Sequence, residues 1–254
     1  MEISWLQLLL LCALVFLAGF VDAVAGGGGL ISLPAYLMAG LPPHFAVGSN
    51  KFSSAFGTAL SVWQYRKNGK ILWSVALPAA LGALAGAFCG TRLNLRLSDT
   101  VLHWVILCVL PLVALFLTLR QDFGQNGRRK TLSRFREILG ALTIGFFIGM
   151  YDGAVGPGTG TFLILAFSAL LGLDLLTSSG CAKVPNLVSN LTSMVLFLIH
   201  GKVVFALAAP AACCGILGNF FGSRYAVKRG SKSVRVFIYI VLGLLFVKFF
   251  SNLC

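Results

Sequence analysis

The amino-acid sequence predicts an all-α integral membrane protein of two inverted structural repeats, each a glycine-broken helical hairpin plus three transmembrane helices. Three observations lead there. Uncharged apolar stretches of roughly bilayer-spanning length cover residues 3–21, 71–91, 100–119 and 203–223. A motif of the N-terminal half returns in the second half of the chain. Lysine and arginine gather at alternate ends of the apolar segments, as topogenic charge does.

Composition narrows the class. With 58% hydrophobic and 11% charged residues, and apolar segments recurring throughout, no stretch is left for a separate water-soluble domain. The net charge of +13 could suit nucleic acid. The basic residues, however, cluster at segment ends instead of alternating with aromatics on a soluble face, so the lipid bilayer is the expected partner and nucleic acid is not. The seven cysteines (Cys12, Cys89, Cys108, Cys181, Cys213, Cys214, Cys254) are odd in number, mostly inside apolar segments and without Cys-x-x-Cys spacing. They read as small buried hydrophobes, not disulfides or metal ligands. His44, His103 and His200 have no carboxylate or cysteine at ligand spacing, so neither a metal nor another cofactor is expected.

The elements follow in order. Residues 3–21 read as a retained helix: only Met1 and Glu2 precede them, without the basic region of a signal peptide, and they run straight into Asp22 and four glycines. The first half is a helix entering a glycine break (3–22), a short apolar segment (30–41) and three longer ones (46–65, 72–91, 100–119). The second is a helix (138–152), a short segment (161–173) and three longer ones (179–199, 203–223, 236–252). Residues 1–120 thus form one repeat, 121–136 a basic linker expected in the cytoplasm, and 137–254 the other. As helix, each short segment reaches only ~20 Å against a hydrocarbon core of ~30 Å, so both are expected to be half-helices that turn back.

The duplication rests on named matches. Gly19-Phe-Val-Asp22-Ala-Val-Ala-Gly26-Gly-Gly28-Gly resembles Gly149-Met-Tyr-Asp152-Gly-Ala-Val-Gly156-Pro-Gly158-Thr at an offset of 130. Downstream, at an offset of 132, Lys51 aligns with Lys183, Gly69-Lys70-Ile71 with Gly201-Lys202-Val203, Gly86 with Gly218 and Gly90 with Gly222.

Charge sets the orientation. Arg66, Lys67 and Lys70 form one basic cluster; Arg120, Arg128, Arg129, Lys130, Arg134 and Arg136 a second; Arg224, Lys228, Arg229, Lys232 and Arg235 a third, together 14 of the 20 basic residues. Placing all three in the cytoplasm, with each broken hairpin as an even number of crossings, puts both termini outside and leaves only Arg92, Arg96 and Lys202 in outer loops. Each half then crosses an odd number of times, so the second is upside down relative to the first.

In that arrangement the two breaks meet near the membrane midplane. Gly26, Gly27, Gly28 and Gly29 let a ligand approach the backbone, and helix restarts near Leu30 with free amides and a positive dipole end that favour an anion. Gly156, Gly158, Thr159, Gly160 and Thr161 repeat the device, with two hydroxyls as further donors. Lys51 and Lys183 stand inside apolar segments at an insertion cost on the order of 3 kcal/mol each. Each is expected to pair with an aspartate, Asp22 or Asp152, or with the bound anion. Asn50 and Asn186 would line the same site, with Ser54, Ser189 and Asn190 as weaker candidates. Gly82, Gly86, Gly90, Gly218 and Gly222 read as helix-packing glycines.

The Gly-Phe-Val-Asp-Ala-Val-Ala-Gly-Gly-Gly-Gly-Leu-Ile run, Asn50-Lys51 and the later Gly-Pro-Gly-Thr-Gly-Thr resemble the TauE/SafE sulfite-exporter (TSUP) family over nearly the whole chain. The resemblance implies a multi-pass permease of the cell membrane for sulfite, sulfonates or other sulfur-containing anions, commonly in export.

The leading expectation is therefore a secondary transporter for a small anion, working by alternating access, with room for a coupling ion. No Gly-x-x-x-x-Gly-Lys-Ser/Thr loop is present to bind ATP. An anion channel is the alternative, since facing half-helices also build pores. An intramembrane aspartyl protease built on Asp22 and Asp152 is disfavoured by the duplication, which gives each aspartate a glycine break and a lysine in its own half.

Overall fold

A computed structural model describes residues 5–106, 133–234 and 236–237, with helix and no strand among them. Eight helices follow in order: α1 Trp5–Ala25, α2 Gly29–Met38, α3 Pro43–Lys67, α4 Trp73–Arg96, α5 Arg134–Ala154, α6 Thr159–Leu171, α7 Leu175–Ile199 and α8 Phe205–Arg229. A further helical run begins at residue 99. Most of the expected segments 100–119 and 236–252, and of the linker 121–136, lies outside the described residues.

Five helices (α1, α4, α5, α7 and α8) are long and apolar enough to cross a membrane. They turn large apolar side chains outward, among them Leu9, Leu81, Leu84, Phe147, Leu217 and Phe221, a surface that suits lipid and not water. α3 is as long as α7 and α8 but the least apolar of the eight. It buries Ser49, Asn50, Lys51, Ser53, Thr58 and Ser61 inside the bundle. The two expected half-helices are short, 10 residues in α2 and 13 in α6.

The sequence predicts that the two entering helices end at Asp22 and Asp152. The structure carries α1 on to Ala25 and α5 to Ala154, so Asp22 and Asp152 belong to the last helical turn and the breaks begin after them. No residue between Asp22 and Gly26 needs a non-helical backbone; Gly26, at φ +78, is where the chain leaves the helix.

Small residues let helix backbones touch. Gly82, Gly86 and Gly90 of α4 face the backbone of Leu142, Phe146 and Met150 of α5, while Gly145, Gly149 and Gly153 of α5 face Ala79, Ala83 and Ala87 of α4. The constant stagger means the two helices run parallel. α1 and α8 repeat the arrangement, with Gly218 on Phe16, Gly222 on Phe20 and Gly19 on Gly215. These are the two most extensive helix contacts described, and each joins a helix of one half to a helix of the other. α3 and α7, which are sequence equivalents, pass each other in opposite directions: Gly48 meets Lys202 near one end and Gly180 meets Lys70 near the other.

Candidate functional site

The two breaks are in direct contact. The Thr161 amide donates to Gly26 O at 3.2 Å and its hydroxyl to Ala25 O at 2.8 Å. A side chain on Gly26 would overlap the backbone of Gly160 and Thr161. Because α1 stops inside the protein, its final carbonyls need partners other than water. Lys183 donates to Asp22 O, the Tyr65 hydroxyl to Ala23 O at 2.9 Å and the Ser179 hydroxyl to Val24 O at 3.2 Å.

Both lysines are buried and both pair across the halves. Lys51 Nζ of α3 lies 2.7 Å from Asp152 Oδ1 of α5 and donates to Asn190 Oδ1 at 3.2 Å. Lys183 Nζ of α7 lies 2.8 Å from Asp22 Oδ2 of α1. The pairs are not alike. Asp152 also accepts from the Ser189 hydroxyl and its side chain is 3% exposed, whereas that of Asp22 is 16% exposed.

A polar cavity, about 30 Å³ to the centre of a water, lies where the breaks, α3 and α7 converge. Its wall takes Gly26 and Gly29 from the first break, Gly156, Thr159 and Gly160 from the second, Asn50 and Lys51 from α3, Asn186 from α7, and both aspartates. Ser54, Thr58 and Asn190 complete it. The remaining candidates do other work. Lys183 is wholly committed to Asp22, and Thr161 to the α1 terminus. Gly27 O accepts from the Leu30 amide, Gly28 lines a neighbouring cavity, and Gly158 makes the turn into α6 at φ +81. The Thr159 hydroxyl donates to Gly156 O at 2.6 Å and Thr161 to Ala25 O, so neither is the further donor to the cavity that the sequence suggests.

Thr58 is a wall residue that the sequence marks only by spacing. It stands seven residues after Lys51, as Asn190 stands seven after Lys183, and residues i, i+3 and i+7 share a helix face. Ser54 and Asn186 occupy the matching i+3 positions.

Chemically, the cavity offers a lysine, amide and hydroxyl groups and two helix starts, α2 and α6, whose dipoles favour negative charge. It offers no shared-proton carboxylate dyad, because each aspartate is bound to its own lysine.

Known proteins similar to this chain identify its family. The family model described as "Sulfite exporter TauE/SafE" matches residues 11–249. A Sinorhizobium protein named "Probable membrane transporter protein ORF9" is 34% identical over 94% of this chain and 91% of its own length. A "Probable membrane transporter protein" of Haemophilus influenzae is 35% identical over 95% and 93%. The Escherichia coli K12 "Probable membrane transporter protein YfcA" is 32% identical over 97% and 90%. No solved structure matches the chain. Multi-pass helices, a buried polar site between two broken hairpins and relatives that are transporters and not enzymes lead to one assignment: the chain belongs to the TauE/SafE sulfite-exporter family of membrane transporters.

Proposed function

We propose that this transporter is a secondary permease for a small anion, namely sulfite, a sulfonate or another sulfur-containing anion, and that it works in export by alternating access between two inverted repeats. The observation that carries the reading is Lys51, buried in the wall of a polar cavity to which both glycine breaks contribute. A cation beside two helix starts is an anion-binding device. The antiparallel passage of the equivalent helices α3 and α7 supports the inverted relation. The family's printed description supports the sulfur oxyanion and the direction.

The test is reconstitution into liposomes and uptake of radiolabelled sulfite, sulfate, thiosulfate and a sulfonate by wild type, Lys51→Ala and Lys183→Ala. Saturable uptake of one of them, abolished in Lys51→Ala, is expected. Flux far above the rate of a conformational cycle would replace the carrier by a channel, and no uptake of any would overturn the anion reading. For the orientation, single cysteines in a cysteine-free background at the exposed positions Asn68 and Lys228 are expected to label from the cytoplasm, and those at Ser98 and His200 from outside. Labelling of Asn68 and its counterpart His200 from one side would overturn the inverted arrangement.

A further inference from the structure

Charge in the cavity region balances when no anion is bound: two lysines, Lys51 and Lys183, against two aspartates, Asp22 and Asp152. A monovalent anion entering this buried region leaves one negative charge in excess, and uncompensated charge in a low-dielectric interior is costly. A proton delivered to one of the aspartates restores neutrality.

The two aspartates differ in their partners and in their access to water. Asp152 is held by Lys51 and by Ser189. The residue equivalent to Ser189 in the first half is Gly57, which has no hydroxyl to give Asp22. Asp22 also lies in the walls of two cavities, the central one and a neighbour lined by Ser32, Ser53, Ser54, Thr58 and Asn219. These hydroxyl and amide groups form a polar lining through which water can reach its carboxylate. Titratable groups facing Asp22 from the packed helices are Lys183 of α7 and Lys51 and Tyr65 of α3. Asp152 of α5 lies across the central cavity, and α2, α6 and α8 present glycine, serine, threonine and asparagine to the two cavities.

From this asymmetry we infer that Asp22 is the proton-coupling site, binding one proton for each monovalent anion bound, while Asp152 keeps its bonds to Lys51 and Ser189. This rests on the anion-transporter reading above. A proton from water joins an Asp22 carboxylate oxygen to give the neutral acid; Lys183 keeps its three protons and loses its anionic partner. The freed ammonium charge then balances the anion, and the pair moves as a neutral unit of anion plus proton.

The experiment uses methanesulfonate, which stays ionised across the range studied, and the full-length protein in detergent. Wild-type affinity is expected to fall about tenfold for each unit rise in pH once Asp22 ionises in the free protein, with uptake of about one proton per anion bound from weakly buffered solution. Asp22→Asn is expected to bind with a flat pH profile and no proton uptake. Saturable binding by wild type with no pH dependence and no proton uptake overturns the inference and leaves the transporter reading intact, as does an Asp22→Asn protein that keeps the wild-type slope. Should Asp22→Asn fail to fold, the wild-type proton count alone decides. Binding of neither methanesulfonate nor the four anions tried in liposomes overturns both readings together.

Discussion

At the first break, each carbonyl from Asp22 to Ala25 is met by a side chain, and three of the four donors, Lys183, Ser179 and Thr161, come from the second half of the chain. At the second break the matching turn of α5 receives Asn94 on Ala154 O at 2.6 Å, and its aspartate receives Ser189. The equivalents of Tyr65, Ser179 and Thr161 are Phe197, Val47 and Ile31, none with a hydroxyl. The two halves, alike in sequence, are therefore wired differently. The first break has an anchored backbone and a lightly held carboxylate; the second has a firmly held carboxylate.

The largest expected effect tests the anchoring. Gly26→Ala places a methyl group inside the Gly160 backbone at a residue with φ +78 and should cost at least about 3 kcal/mol, read as loss of monodisperse protein on size exclusion. Gly29→Ala meets Pro157 Cα at 3.2 Å and should remain folded with a small drop in melting temperature. Equal behaviour of the two variants would mean the breaks do not seat on each other as described.

Next come the ion pairs. Removing one partner of a buried pair costs about 3–5 kcal/mol, and Lys51→Ala should sit at the upper end because Asp152 has less access to water than Asp22. Lys183→Ala should be milder in thermal unfolding, and the reverse order would break the asymmetry. Tyr65→Phe, which makes the first break more like the second, should cost about 1–2 kcal/mol through the lost bonds to Ala23 O and Ser179.

The smallest effect lies in two equivalent joints at the helix ends. Asp99 lies 2.5 Å from His44; their counterparts at an offset of 132 are Ser231 and Leu176, which meet at Asp174. The hydrogen bond with His44 holds the Asp99 carboxyl below the usual carboxylate range, outweighing its slight burial. For Asp174, burial acts upward, but the hydrogen bonds from Thr177, Ser231 and Leu176 together hold it below that range. A lowered carboxyl contributes stability above its unfolded value and loses it as pH falls through the folded one. Both joints should therefore weaken on acidification below the usual carboxylate range. Melting temperature against pH should show the loss, and Asp99→Asn should remove only the His44 share of it.

Much of this was legible in the chain. Helix positions, the shortness of α2 and α6, the meeting of the glycine breaks and the need of Lys51 for a partner follow from apolar length, glycine runs and a charge where charge is costly. The cross-half pairing of Lys51 with Asp152 and of Lys183 with Asp22 was not, because periodicity reports which face a residue occupies and not which distant helix that face meets. Nor was the division of labour within the glycine-threonine run: Thr161 resembles Thr159 in type, yet it is spent on the α1 terminus while Thr159 lines the cavity.

The two glycine-lined parallel seams, α1 on α8 and α4 on α5, carry one more consequence. Each seam joins a helix of one half of the chain to a helix of the other, so neither half is expected to stand alone. Expressed alone, residues 1–120 would present the α4 glycine groove with nothing to fill it, and co-expression of both fragments should be needed to recover either from the membrane. In the proposed alternating-access cycle the moving bodies would be these mixed pairs, and the boundary between them would not coincide with the boundary between the two sequence halves.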